Sequence, residues 1–151
     1  MEMSGIKMEF KIKEACQKEI FFHLHECNDN FVPPLSEKVN LEEYAKKIAE
    51  FAVTFEAWAG KVLAGLVAAY LNNRENHIGY ITSVSTLADF KGNGIANELL
   101  KMCFGYAREH QFTVLELEVS TNNRPAIQLY KKYGFTESAR DGNFTRMKAI
   151  L

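Results

Sequence analysis

The sequence predicts a mixed α/β (α+β) domain, one sheet of about seven strands with about four helices on its faces. Three observations point there. Segments of period 2 and period 3.6 alternate along the chain in the order β-α-α-β-β-β-α-β-α-β-β. No linker, internal repeat or low-complexity stretch divides the 151 residues, so residues 1–151 are expected to form a single domain. The composition, 47% hydrophobic and 25% charged, is that of a soluble globular chain that buries a core without staples.

Each element has its own signal. In "MEFKIKEA", Met8, Phe10 and Ile12 alternate with charged residues, the pattern of a half-buried strand. Ile20, Phe21, Leu24 and Cys27 recur at helical spacing, which predicts a helix over 16–31. Pro33 and Pro34 in "FVPPLSE" cannot continue it. A second helix follows, with Asn40 as its cap and Glu42 and Glu43 against the positive end of its dipole. Its apolar stripe is Tyr44, Ile48 and Phe51. "AVTFEAWAGKVLAGLVAAYL" reads as a hairpin turning near Gly60-Lys61. After the polar turn "NNREN", the strand "HIGYITSVSTL" reaches Leu87. The next helix is expected to run to Gln111, with Ile95, Leu99, Met102, Cys103 and Tyr106 inward. "FTVLELEV" is an inner strand, and "NNRPAIQLYKKY" is a short helix that starts near Asn123 and is closed by Gly134. "GFTESAR" and "FTRMKAIL" form the last two strands around Asp141-Gly142-Asn143.

Charge and cysteine usage narrow the function. A net charge of −1 gives no general attraction to phosphate backbones or anionic lipid, so neither nucleic acid nor membrane is an expected partner. Cys16, Cys27 and Cys103 are scattered without a CxxC pair, against a disulfide framework and against a thiolate metal site; no metal is expected. The start "MEMSGIKMEFKIKE" carries charge where a signal peptide is apolar, and "VLAGLVAAYL" is too short to cross a bilayer. A cytoplasmic location is expected. In that setting the sequon Asn143-Phe144-Thr145 is chance.

The informative stretch is "ADFKGNGIANELL", where Gly92 and Gly94 stand at the entrance to a helix. Glycine weakens a helix interior by roughly 1 kcal/mol relative to alanine, so two of them there need a reason. One reading is a tight turn that only brings strand and helix together. The other is an anion site, because orphan N–H groups and the positive end of the dipole meet at a helix entrance. Lys91 adds positive charge on the approach. A P-loop fails, since Ile95 and Ala96 follow Gly94 where Lys and Ser or Thr are required. A dinucleotide fingerprint fails at Asn97, where its third glycine belongs.

Two blocks carry a resemblance. Lys91-Gly92-Asn93-Gly94-Ile95-Ala96 is similar to the coenzyme A loop (Arg/Gln)-x-x-Gly-x-(Gly/Ala) of the GNAT superfamily of acyl-CoA-dependent N-acyltransferases, departing from it at Lys91. "NNRPAIQLYKKYGF" resembles the family's later motif N-x-x-A-x-x-(Leu/Phe)-Tyr-x-x-x-Gly-Phe, matching at Asn123, Ala126, Leu129, Tyr130, Gly134 and Phe135. One helix and one strand separate the blocks, as in the family. The resemblance covers the whole chain in element order and residues 84–135 in motif detail. It implies a mostly antiparallel sheet with a splayed parallel pair, "HIGYITSVST" and "VLELEV", and acetyl-CoA as acyl-donor cosubstrate.

The resemblance also implies roles. The acceptor amine attacks the thioester directly, the backbone N–H of Val84 stabilises the oxyanion, and backbone near Thr86 pairs with the pantetheine arm. Residues Gly92, Asn93, Gly94, Ile95 and Ala96, with Lys91, cradle the pyrophosphate. Asn123 bonds the cofactor arm, and Tyr130 is the general acid for the departing thiolate. Tyr133 is not at the acid's motif position. Tyr80 stands where several members carry a catalytic glutamate, so no base is carried over. Glu116 and Glu118 share one face of their strand, read as an outer face, and His23 and His25 point in different directions. Cys103 falls on a buried stripe and reads as core.

The acceptor is expected to be a small-molecule amine, met by the first two helices, the "NDNFVPPLSE" connection and the last hairpin. Glu26, Asp29 and Glu37 are acidic candidates near it. Other readings are a protein N-terminal or lysine acetyltransferase, a non-catalytic acyl-CoA-binding module, or an NAD- or ATP-binding protein. The resemblance allows a homodimer, since dimers are common in the family.

Overall fold

The computed structural model describes residues 2, 3 and 6–151. Its elements are β1 (Glu2–Met3), β2 (Ile6–Ile12), α1 (Gln17–Cys27), α2 (Leu41–Phe51), β3 (Val53–Ala59), β4 (Val62–Tyr70), β5 (Ile78–Thr86), α3 (Ile95–Glu109), β6 (Val114–Ser120), α4 (Arg124–Lys132), β7 (Thr136–Asp141) and β8 (Phe144–Ile150). Short 3-10 turns cover Asn28–Asn30, Leu35–Glu37 and Ala88–Phe90. The order is the expected one with β1 added, so the sheet has eight strands, arranged β1-β2-β3-β4-β5-β6-β8-β7. β5 and β6 are its parallel pair, and the other neighbours are antiparallel.

Both faces of the sheet are covered. β4 shows this residue by residue: Val67 and Ala69 join Phe55, Leu99, Cys103 and Leu117 under α3. Leu66 and Ala68 point the other way, onto Ile20, Leu24, Ala45 and Ile48 of α1 and α2. A strand buried on both sides loses the polar alternation, which is why "VLAGLVAAYL" reads as one apolar run. α3 crosses β4 closely at Gly65, where an added Cβ would stand 2.4 Å from Ile95 Cγ2.

Three local expectations are corrected. The first helix ends at Cys27 and not at Phe31, and Asn28–Asn30 tighten into a 3-10 turn. There Asn28 Oδ1 accepts the Ser36 N–H at 2.7 Å, a side-chain bond that competes with helix continuation. The third helix ends at Glu109 because Gln111 turns left-handed (φ 72°) and the Phe112 N–H returns to the Ala107 carbonyl. Phe51, the last residue of α2, is 56% exposed; Ala45 and Ile48 carry the buried stripe.

A buried carboxylate anchors the start of α1. Glu56, on β3, is fully buried. It accepts the backbone N–H groups of Glu14 (3.0 Å) and Ala15 (3.0 and 3.1 Å), the Trp58 indole N–H (2.9 Å) and the Thr54 hydroxyl. A buried carboxylate is tolerated only when its acceptor sites are filled in this way. The chain leaving β2 is thereby tied to the sheet just before α1 begins.

Candidate active site

The parallel pair opens the site. β5 and β6 are paired from Ile78↔Val114 to Ile81↔Leu117 and no further. Beyond that point β5 stays with β4 as far as Thr86, and β6 stays with β8 as far as Ser120. The strands therefore splay. The divergence begins at a bulge: Ala68 faces Ser83 and Ala69 faces Ile81, leaving Thr82 as the extra residue. Such a bulge bends its strand. The Tyr44 hydroxyl, from α2, donates to the Thr82 carbonyl at 2.7 Å, and the Thr82 hydroxyl lies 2.6 Å from the same phenol oxygen.

Register then settles where the freed backbone groups point. The Leu87 N–H bonds to the Ala64 carbonyl, and Ser85 lies opposite Leu66 two residues along. In an antiparallel ladder hydrogen-bonded and non-hydrogen-bonded pairs alternate. Ser85 is therefore of the bonded kind, whereas Val84 and Thr86 turn their N–H and C=O groups away from β4 into the gap. These are polar groups along a strand edge with no partner strand.

The gap is part of a cavity of about 530 Å³. Val84, Thr86, Lys91, Gly92, Gly94, Ile95, Ala96, Asn123 and Tyr130 line it. Asn93 does not: its side-chain amide donates back to the carbonyls of Phe90 (3.1 Å) and Lys91 (3.0 Å), closing the loop on itself. Gly92 and Gly94 have φ of 81° and 76°, and no atom stands within 4 Å of an added Cβ at either. Backbone conformation, rather than crowding, requires glycine there. Gly94 is the N-cap of α3, whose first N–H groups open on the cavity.

α4 supplies the opposite wall. Asn123 caps it, its Oδ1 accepting the Ala126 N–H at 3.3 Å. Tyr130 is buried, with its ring edge-on to Phe135 at 5.8 Å. Among the described residues its hydroxyl makes no hydrogen bond, and burial pushes its pKa well above the usual phenol value, so it stays protonated. Tyr133 is engaged elsewhere, donating to Asn97 at 3.0 Å. Cys103 is fully buried and pushed up to about 12, an inert core thiol.

The α1 side holds what the sequence reading did not assemble. Glu118 is the carboxylate lining the cavity; Lys38 Nζ lies 3.8 Å from it and 4.4 Å from the Phe144 ring centre. His23 is buried, while His25 is exposed on the other side of the helix. His23 Nδ1 lies 2.8 Å from the Leu63 carbonyl and Nε2 lies 2.8 Å from Ser85 Oγ. Burial pushes its pKa down to about 4, so the ring is neutral at pH 7. A signal for His23 existed: it sits three residues after Ile20 and four before Cys27, on the buried stripe of α1. Nothing local marked Ser85 as its partner. Tyr80, on β5, brings no carboxylate, and burial raises its phenol pKa.

Comparison with known proteins accords with this geometry. The chain is 31% identical over 87 residues to a streptothricin acetyltransferase of Escherichia coli, covering 58% of this chain and 49% of that protein. It is 28% identical over 81 residues to the N-alpha-acetyltransferase MAK3 of Arabidopsis thaliana, covering 54% and 43%. The chain thus spans at most about half the length of these relatives. Its fold matches that of the paiA N-acetyltransferase of Thermoplasma acidophilum, solved with coenzyme A, at a TM-score of 0.75 and 12% identity over 95% of this chain and 99% of that one. The family profile described as "Acetyltransferase (GNAT) family" matches residues 17–135, which take in α1, the splayed strands, the glycine loop and Tyr130, and the chain belongs to that family.

Proposed function

We propose that the protein is an acetyl-CoA-dependent N-acetyltransferase acting on a small-molecule primary amine. The observation that carries this is the splay of β5 from β6 after Ile81, directly beside the left-handed glycines that open α3. The first offers strand-edge N–H and C=O groups to an amide-bearing arm. The second offers helix N–H groups and a positive dipole end to a pyrophosphate. The residues present therefore fit coenzyme A along one continuous wall.

In this reading the Val84 N–H points at the thioester oxygen as charge develops there. Thr86 backbone groups hold the pantetheine arm, and Asn123, its Oδ1 committed to the helix cap, turns its amide nitrogen to the same arm. Lys91 and the backbone of Gly92, Gly94, Ile95 and Ala96 hold the pyrophosphate, and Asn93, placed in that cradle by the resemblance, braces the loop from outside the cavity. Tyr130 donates its proton to the departing sulfur. Burial keeps the phenol protonated until a thiolate forms beside it, so it can hydrogen-bond to the leaving sulfur and donate to it. Supporting a small acceptor, Lys38 reaches across to Glu118 and Phe144 and narrows the amine's end of the cavity. The relatives include both a streptothricin acetyltransferase and an N-alpha-acetyltransferase, so the choice rests on the cavity.

The test is the melting temperature with saturating acetyl-CoA, NAD or ATP, followed by amine screening with detection of free thiol. A ligand at 100 times its Kd adds about 2.7 kcal/mol, a shift of several degrees for a domain this size. The expected result is a shift with acetyl-CoA alone and thiol release with amino-bearing small molecules. Turnover confined to peptide amino termini or lysines would replace the small-molecule acceptor by a protein one. A shift with NAD or ATP and none with acetyl-CoA would overturn the reading.

A further inference from the structure

Buried His23 and half-buried Ser85 form a pair that the proposed chemistry does not use. Its hydrogen-bond directions are determined. The Leu63 carbonyl can only accept, so the proton of neutral His23 sits on Nδ1 and is donated to it at 2.8 Å. Nε2 then carries a lone pair, and the bond to Ser85 at 2.8 Å must be donated by the serine hydroxyl. The pKa depressed to about 4 keeps the ring in this neutral form. Cys27 Sγ, 3.7 Å from the same Nε2, is a thiol pushed up to about 11 and brings no charge.

The consequence falls on Ser85. Its proton is directed into the protein toward His23, so its oxygen can only accept from the cavity it lines. Ser85 immediately follows Val84 along β5, and its side chain lies on the α1 face, away from α3. Two residues back on that same face, Ser83 Oγ is buried without a hydrogen-bond partner among the described residues, although the Tyr44 phenol lies nearby. A hydroxyl held as an acceptor beside an oxyanion donor suits the N–H of an incoming amine.

Resting on the acetyl-transfer reading above, we infer that Ser85 is a catalytic hydrogen-bond acceptor for the attacking amine, and that His23, positioned by Leu63, holds the serine hydroxyl in that orientation. As the amine nitrogen bonds to the thioester carbonyl carbon, Ser85 Oγ accepts its N–H, and that proton leaves to solvent water. The carbon–sulfur bond breaks, and the thiolate takes a proton from Tyr130. The phenolate regains a proton from solvent. His23 stays neutral throughout, in keeping with its depressed pKa.

The experiment compares wild type with Ser85→Ala, Ser85→Thr, His23→Gln and the double variant. Hydroxylamine, a small amine that needs no shaped pocket, is the probe, and acetyl-CoA binding is read separately by thermal shift. Ser85→Ala should lower kcat on the order of 10²-fold, with acetyl-CoA affinity within about twofold of wild type. Ser85→Thr, which keeps the hydroxyl, should recover most of the loss. His23→Gln should lose as much as Ser85→Ala, and the double variant no more than either, as for groups that act as a unit. Full kcat in Ser85→Ala overturns the role of Ser85 alone, as does a loss matched by weakened acetyl-CoA binding. Additive losses in the double variant overturn the positioning by His23. A wild type that binds acetyl-CoA yet never acetylates hydroxylamine overturns the transfer reading and the role of Ser85 with it. Should His23→Gln fail to fold, the Ser85→Ala and Ser85→Thr pair decides.

Discussion

The two walls of the cleft are built from different materials. The α3–α4 wall presents mainly backbone: the freed groups of Val84 and Thr86, the turn through Gly92 and Gly94, and the first N–H groups of α3. The α1–α2 wall presents side chains drawn from distant places, His23 against Ser85, Tyr44 against Thr82, Lys38 against Glu118. In the proposed reading a ligand with a pyrophosphate and amide arm meets main chain, which tolerates change in most side chains. An acceptor that meets side chains would be changed by altering a few residues, so such a scaffold could keep its donor and vary its acceptor.

The largest effect that would break this contrast lies beneath the side-chain wall. Replacing Glu56 by Ala leaves the buried Trp58 indole and the backbone N–H groups of Glu14 and Ala15 without their acceptor. A loss of about 3–5 kcal/mol in urea unfolding is expected, with a smaller loss for Glu56→Gln. An unchanged midpoint would mean that α1 is held by packing alone.

On the other wall the exception is Tyr130, a side chain in a backbone site. Tyr130→Phe should lower kcat on the order of 10²-fold while the acetyl-CoA-induced thermal shift stays near wild type. Equal loss of turnover and binding would return Tyr130 to a packing role beside Phe135.

The third and smallest effect is in pH. His23 has a native pKa near 4 against an unfolded value near 6.5. The unfolded chain thus takes up a proton that the native state refuses, so this group's contribution to stability falls as pH drops from 6.5 toward 4 and is level outside that window. Between pH 7.5 and 5 the loss is about 2 kcal/mol. Denaturation at the two pH values should show it in wild type and not in His23→Gln. The same drop in both would assign the effect to other groups.

What was legible in the sequence follows the same division. Gly92, Gly94, Asn123 and Tyr130 lie at fixed offsets within local strand–turn–helix units, where one stretch of chain contains the whole device. The β-α order and the hairpin at Gly60-Lys61 were readable for the same reason, since period and turn chemistry are local. His23 and Ser85 lie 62 residues apart, and Lys38 and Glu118 lie on different elements, so their meeting is a product of packing. Glu116 and Glu118 were correctly given one face, yet the splay that exposes Glu118 to the cleft depends on the Thr82 bulge, which no period reveals. Glu56, charged within the apolar "TFEAWA", was the residue most at odds with its surroundings, and its partners explain why it is there.

Gly65 carries a further consequence. With no side chain, it lets Ile95 seat against β4, and Ile95 is the first residue of α3, immediately after the turn at Gly94. The height of the proposed anion cradle above the sheet is therefore set by a position near the middle of β4, twenty-seven residues before Gly92 and outside every stretch that resembles a motif. A methyl group at Gly65 would lift the helix start like a shim under a bearing, and the grip on a pyrophosphate would loosen with every residue of the loop unchanged.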